Sequence, residues 1–545
     1  MATKKTAKKS AKKAAKKAAK KGAKKAAKKG AKKASSKTAS AGRAASKKAG
    51  KKDSKKGAKK AGKKSAKTKP GKRPAASTKR RPAGGGKVKG VLRVRMYRIG
   101  FGDFFLLTVP TKAGPQHILI DCGVHAGNIG TMKLCVQDLV KETGRKLALV
   151  IATHYHADHL SGFATNFDEF AQFEVGAVWI TNRLDPGNKE AVNLLKQIRS
   201  VATQLRMGLR LRLGLGEAEE PGSNVELAQA QALYMAENAL GIQLGAAEPT
   251  NEKALRLLTE GFKNKPPVYY YQGGDEPVLP DVLKGAITAR LLGPSPKDSG
   301  GVFSGAENKK EQYLAAAGED GLPETESLLP FEKVWPAAAT HYPKEAFWGY
   351  GSHAGMEEIL HSAQPDVMLA AADAVDGTLN NQSLVILFTC QGKKLLFVGD
   401  AQWGNWSYWL YGKKVSGDDP GISDTAREVL GSIDFYKVGH HGSTNANPIP
   451  AVEALNVDCV SMCSTESADY DKEKNRPHGS KENNSEVPRT VLMDALEKRT
   501  NFKLVRSDWI PVAGVPASPE AKSQLPKLPK NFSAGDLYID YVFPS

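Results

Sequence analysis

Long apolar runs, cysteine and, over one stretch, acid are all scarce in this sequence, and each scarcity excludes something. No run approaches the roughly 18 consecutive apolar residues of a membrane span. The basic N-terminus lacks the apolar stretch of a secretory signal. The five cysteines, Cys122, Cys135, Cys390, Cys459 and Cys463, form no CxxC pair and are odd in number. This pattern is that of a reducing compartment without a disulfide framework, so a soluble, cytoplasmic protein is expected. Acid is almost missing from residues 1–90, where Asp53 is the one carboxylate against 37 Lys and Arg. That segment carries +36, whereas the remainder, with 44 basic and 55 acidic residues, carries −11. The overall +25 therefore averages two unlike pieces, and a nucleic-acid argument from charge belongs to the first of them.

Residues 4–69 repeat Ala-Lys-Lys and Lys-Lys-Ala-Gly units with no aromatic side chain. Such a segment cannot bury enough apolar surface to offset its chain entropy, and like charges at i, i+4 oppose the helix that Ala and Lys otherwise favour. Residues 1–88 are expected to be a disordered polycationic tail, closed by the flexible Pro82-Ala83-Gly84-Gly85-Gly86. In composition the tail resembles those of linker histones and bacterial histone-like proteins. Counterion release from phosphates would make its binding to DNA or RNA strong, indifferent to sequence and sensitive to salt. The plain alternative is a solubilising or targeting extension.

Beyond the linker, residues 89–545 change character. Leu92, Val94 and Met96 alternate with Arg93, Arg95 and Tyr97, the period of a strand. Strands are also predicted at Phe104–Val109, His117–Asp121, Leu147–Thr153 and Ala177–Thr181, with a helix over 131–142 turning Leu134 and Leu139 inward. Residues 187–262 look helical, with Leu194, Leu195, Ile198 and Val201 on one face, and 295–380 are rich in Gly and Pro. Strands resume at Ser383–Thr389, Lys394–Val398, Ile433–Val438, Val457–Met462, Lys503–Arg506 and Leu537–Phe543. Two strand-rich blocks separated by an insertion at about 185–380 point to a two-sheet sandwich covered by helices.

The chemistry concentrates in Thr153-His154-Tyr155-His156-Ala157-Asp158-His159, which places three imidazoles and a carboxylate in six positions directly after a buried strand. A lone histidine is usually structural; a cluster at this spacing is a metal-site pattern. In a tight loop His154 and His156 can turn to one cation while Asp158 and His159 present to a second. Imidazole and carboxylate suit Zn²⁺, with Mn²⁺ or Fe as alternatives. A pair of such cations lowers the pKa of bound water and supplies hydroxide at neutral pH.

This loop is similar to the signature of the metallo-β-lactamase superfamily. Ile99-Gly100-Phe101-Gly102-Asp103, Ile118-Leu119-Ile120-Asp121-Cys122-Gly123, Asn380-Asn381-Gln382-Ser383-Leu384-Val385, Leu396-Phe397-Val398-Gly399-Asp400 and Lys437-Val438-Gly439-His440-His441-Gly442-Ser443 resemble, in order, the hydrolase domain of ComEC-type competence proteins. The resemblance implies an α/β fold, an αββα sandwich, over about 89–183 and 380–545. It implies that Asp400 bridges two metals and that His440 or His441 completes the second site. His440, immediately after its strand, is the preferred ligand, with His441 as the alternative. Asp121, ending its own strand, is expected to orient the histidine loop by hydrogen bonds. The superfamily's third histidine for the first metal has no recognisable counterpart; His341, His353 and His361 are the candidates, and its lack implies a weak first site or an enzyme with one ion rather than two.

Other residues carry weaker signals. His478, in a polar loop, is a candidate general acid or phosphate contact. Trp403, Trp406, Tyr408, Trp409 and Tyr411 could stack on bases, but their spacing fits helix packing better. Ser443 and Thr444 could open an anion-holding helix terminus or merely cap it. The leading expectation is a metal-dependent hydrolase acting on phosphodiesters of nucleic acid, with Asp158, Asp400 and His478 in catalytic roles and nucleoid association through the tail; a nuclear location is the alternative. Two other readings are a hydrolase of a small ester or metabolite that the tail localises on nucleic acid, and an architectural nucleoid protein with an inactive hydrolase domain.

Overall fold

The computed structural model describes residues 90–125, 131–212, 224–242, 250–296, 365–412, 421–466, 487–510 and 527–544. The expected tail, His341, His353, His361 and His478 all lie outside the described residues.

Strand alternation builds two sheets. The first has eight strands in the order Phe532–Ala534, Tyr538–Val542, Arg93–Tyr97, Phe105–Thr111, Gly114–Ile120, Leu149–Ala152, Val178–Thr181 and Val268–Tyr271. It is antiparallel up to Gly114–Ile120 and parallel from there on. The second has six, in the order Leu504–Arg506, Val460–Cys463, Phe435–Lys437, Lys393–Phe397, Val385–Cys390 and Ile287–Gly293.

Alternate side chains along each strand separate into different cores, as a period of two demands. Val94, Met96, Phe105, Leu107, Ile118, Ile120, Leu149 and Ile151 of the first sheet pack with Ile386, Phe388, Leu395, Phe397, Phe435 and Met462 of the second. The side chains between them face outward: Leu106, Leu119 and Val150 pack under helices on the first sheet's far side, and Val385, Leu387, Leu396 and Tyr436 do so on the second's. Four layers result, helix on sheet on sheet on helix, which is the expected αββα arrangement.

Some expectations needed correction. In the helix Met132–Thr143, Leu139 is buried but Leu134 is 47% exposed, because Cys135 and Val136 take the inward face instead. The stretch set apart at about 185–380 contributes to both sheets: Val268–Tyr271 pairs parallel with Val178–Thr181, and Ile287–Gly293 pairs antiparallel with Val385–Cys390. Its helices Lys189–Arg212, Asn224–Ala239 and Pro365–Asn380 pack on one another, with Ile198 and Val201 buried and Leu194 and Leu195 half-buried. Trp406 is buried in the second sheet's outer core with the Trp409 ring tilted against it at 4.7 Å, so the tryptophan spacing serves packing.

Candidate metal centre

The site lies where strand ends converge. Asp121 follows Gly114–Ile120, His154 follows Leu149–Ala152, Asp400 follows Lys393–Phe397, His441 follows Phe435–Lys437 and Ser464 follows Val460–Cys463. Each is at a C-terminal strand end, where side chains escape the ladder and can gather in a crevice. The histidine loop is a strand end, a short turn and a helix start. His156 is the extended residue before the helix Ala157–Thr165, and Asp158 lies in its first turn, where a carboxylate suits the helix dipole. Close backbone approach demands glycine at two positions. A Cβ on Gly123 would meet the His159 backbone nitrogen at 2.3 Å. Gly399, at φ +54°, turns the chain into Asp400 where a Cβ would press on Thr153.

Three groups of buried side chains bring one donor atom each within 4.8 Å of one another; Asp103, Asp121 and His159 form one, and the other two are His154, His156 and Asp158, and Asp158, His159, Asp400 and His441. In the first of these two, His154 Nε2 and His156 Nδ1 are 3.1 Å apart. In the second, His159 Nε2 lies 3.0 Å from Asp400 Oδ2, and His441 Nε2 lies 3.2 Å from Asp158 Oδ2 and 3.5 Å from Asp400 Oδ2. Asp158 is thus common to these two groups, where the resemblance implied Asp400.

Of the two adjacent histidines, His441 rather than the preferred His440 joins the cluster. Both residues have positive φ, 44° and 52°, in a single turn of 3-10 helix, and this turn sends the two rings apart. His441 enters the cluster, while His440 stays at the half-buried rim with its Nδ1 3.5 Å from Gln402 Nε2. The short turn Thr444–Ala446 leaves no helix terminus for an anion, and the Ser443 hydroxyl donates to Asn445.

Asp121 holds the loop as expected. Its Oδ1 accepts from the Thr153 backbone N–H at 2.8 Å, and its Oδ2 meets the Thr153 hydroxyl and His159 Nδ1, each at 2.7 Å. Asp103 and Lys437 carry roles that their motifs did not reveal: the buried ammonium of Lys437 contacts the Asp103 carboxylate, the Gly399 carbonyl at 2.8 Å and Asp400 Oδ1 at 3.2 Å. No sequence motif marks Asp376 or Asn238. Asp376 Oδ1 is 3.6 Å from His156 Nε2, and Asn238 Oδ1 accepts from the Asp158 backbone N–H at 3.3 Å.

The electrostatics follow from burial and crowding. Burial pulls His156 down to about 4 and His154 well below the ordinary imidazole range, so both are neutral, as a ligand must be. Burial also acts against charge at Asp400 and Asp158, but His159 beside them keeps both ionised well below the usual carboxylate range. Conversely, Asp400, Asp121 and Asp158 outweigh burial and raise His159. Asp158 Oδ1 is buried without a hydrogen-bond partner. A buried cluster of carboxylates and imidazoles with an unpartnered carboxylate oxygen fits a divalent cation of the Zn²⁺ class.

A family model, the metallo-beta-lactamase superfamily, matches residues 111–169, the stretch that holds Asp121 and the whole histidine loop. No curated protein matches the chain. The match points to a metal-dependent hydrolase, and the cluster supplies the residues that could hold its metal. Among the described residues, no helix is long and apolar enough to cross a membrane.

Proposed function

We propose that this protein is a metal-dependent hydrolase of phosphodiester bonds in nucleic acid, held to its substrate by the basic N-terminal segment. The observation that carries the reading is the pair of donor groups sharing Asp158 at the strand ends. His154 and His156 would hold one cation of the Zn²⁺ class, and His159, Asp400 and His441 a second, with Asp158 between them. Bound there, such ions would supply the Lewis acidity that activates water and stabilises a departing oxyanion.

The chain's own residues do the rest. Asp121 and Thr153 fix the rings of His159 and His154, which sets the tautomer each presents. Lys437 neutralises the inner oxygen of Asp400 and leaves Oδ2 facing the cluster. His440, at the rim, stands where it can meet an incoming phosphate or hand a proton to a leaving group. Substrate class rests on charge: residues 1–90 carry +36 and the remainder −11, so the tail is the segment whose charge suits a polyanion.

The test is hydrolysis of single- and double-stranded DNA and RNA by the full chain with Zn²⁺ or Mn²⁺, beside His156→Ala and Asp400→Ala. Cleavage lost in both variants is the expected result. Turnover of a generic ester with no cleavage of any nucleic acid would leave a small-molecule hydrolase with the tail as an address.

A further inference from the structure

We propose that Asp376 fixes the tautomer of His156, so that the helix Pro365–Asn380 is a working part of the first cation site. This rests on the metal-dependent reading above and adds to it a positioning residue from a part of the chain with no motif.

Three of the four clustered imidazoles share one arrangement. The Nδ1 of His154 meets the Thr153 hydroxyl at 3.1 Å, that of His159 meets Asp121 at 2.7 Å, and that of His441 meets the Ser464 carbonyl at 2.8 Å. In each, an oxygen engages Nδ1 and Nε2 faces the cluster. His156 is reversed: its Nδ1 faces His154 Nε2 at 3.1 Å. For both nitrogens to serve one cation, the His156 proton must sit on Nε2. Were it on Nδ1, it would donate to His154 Nε2 and occupy both lone pairs at once.

The His156 Nε2 is buried and has no hydrogen-bond partner. The acidic group facing it is Asp376, with Oδ1 at 3.6 Å and its side chain only 9% exposed. Burial and the nearby Asp373, Asp158 and Asp400 push its carboxyl up, and in either protonation state an oxygen is available to accept from the ring N–H. Asp376 Oδ2 accepts from Asn380 Nδ2 at 2.7 Å, one turn along the same helix, and this pins the carboxylate with Oδ1 toward the ring. Less than about 1 Å of closure converts the approach into a full N–H···O bond. A carboxylate behind a ligating imidazole both orients the ring and raises its basicity. The helix is seated by packing on Asn224–Ala239, whose Asn238 caps the Asp158 backbone, so the two helices close over the same loop.

The experiment is Zn²⁺ binding to the full chain in metal-buffered solution, with bound metal counted per chain. The variants are Asp376→Asn, Asp376→Ala, Asp376→Glu, His156→Ala and the double variant Asp376→Ala with His156→Ala. Asp376→Asn is expected to weaken one of two bound ions about 10-fold and Asp376→Ala up to about 100-fold, with the other ion unaffected. Asp376→Glu should restore part of the loss. The double variant should bind no more weakly than His156→Ala alone, because the carboxylate acts only through that ring. Losses that add in the double variant, or unchanged affinity for both ions in Asp376→Asn and Asp376→Ala, would overturn the proposal while leaving the metal-dependent reading intact. A wild-type chain that binds no ion would overturn that reading and this inference with it.

Discussion

Lys437 holds one oxygen of Asp400, its Nζ 3.2 Å from Oδ1, with both side chains sealed from solvent. The same ammonium contacts Asp103, so one buried cation serves two buried anions. Removing it strands charge where water cannot reach. Lys437→Met keeps the shape of the stem and is expected to cost about 3–5 kcal/mol, the usual penalty for breaking a buried pair from one side. Urea unfolding of chelator-treated protein reads this directly. The loss should shrink when Zn²⁺ is present, because bound cations also offset Asp400. An unchanged midpoint without metal would mean that the pair adds nothing net.

His440 and His441 are adjacent but stand in different places, one at the rim and one within donor distance of Asp158 and Asp400. His441→Ala should therefore remove one bound Zn²⁺ and with it hydrolysis. His440→Ala should keep both ions and lower kcat by about 10²–10⁴, the range for a lost proton-transfer group. Metal content and turnover of the two variants separate these roles. Loss of an ion from His440→Ala would return the ligand role to His440.

Much of the framework was legible in the sequence, since strand periodicity is a local property. Leu92, Val94 and Met96 face the inter-sheet core as their alternation predicts, and Asp121 holds the histidine loop. What local pattern could not show was which of two adjacent histidines turns inward. Their positive φ values set that choice, and backbone strain of this kind leaves no mark on side-chain periodicity. Asp376 was hidden for a different reason. Its helix reaches His156 from 220 positions away in sequence, through packing on another helix of the same stretch, and no motif surrounds it. Asp103 and Lys437 were visible as motif members, yet their pairing is a tertiary fact.

Asp121 is expected to matter mainly through the second ion, because it holds His159 directly and His154 only by way of the Thr153 hydroxyl. It sits at φ 53°, an unusual conformation that aspartate tolerates better than most side chains, and both oxygens are committed to the loop. Asp121→Asn replaces an acceptor with a donor facing the Thr153 hydroxyl and His159 Nδ1. Affinity for one Zn²⁺ should fall about 10- to 100-fold. The ion lost should be the one that survives Asp376→Ala, which a double variant binding no tight ion would demonstrate. Loss of the same ion in both variants would mean that the two donor groups hold a single cation.

The segment after residue 90 carries a net −11 and so offers a polyanion no net attraction, whereas residues 1–90 carry +36. A chain shortened to residues 89–545 should therefore keep kcat on a short oligonucleotide and show a KM raised by at least about tenfold near 50 mM salt, where counterion release is strongest. The two forms should converge as salt rises, because log affinity of the full chain falls linearly with log salt concentration while that of the shortened chain changes little. Equal KM values at low salt would detach the tail from substrate capture. A kcat that falls with the tail while metal content stays constant would instead place part of residues 1–88 in the turnover itself.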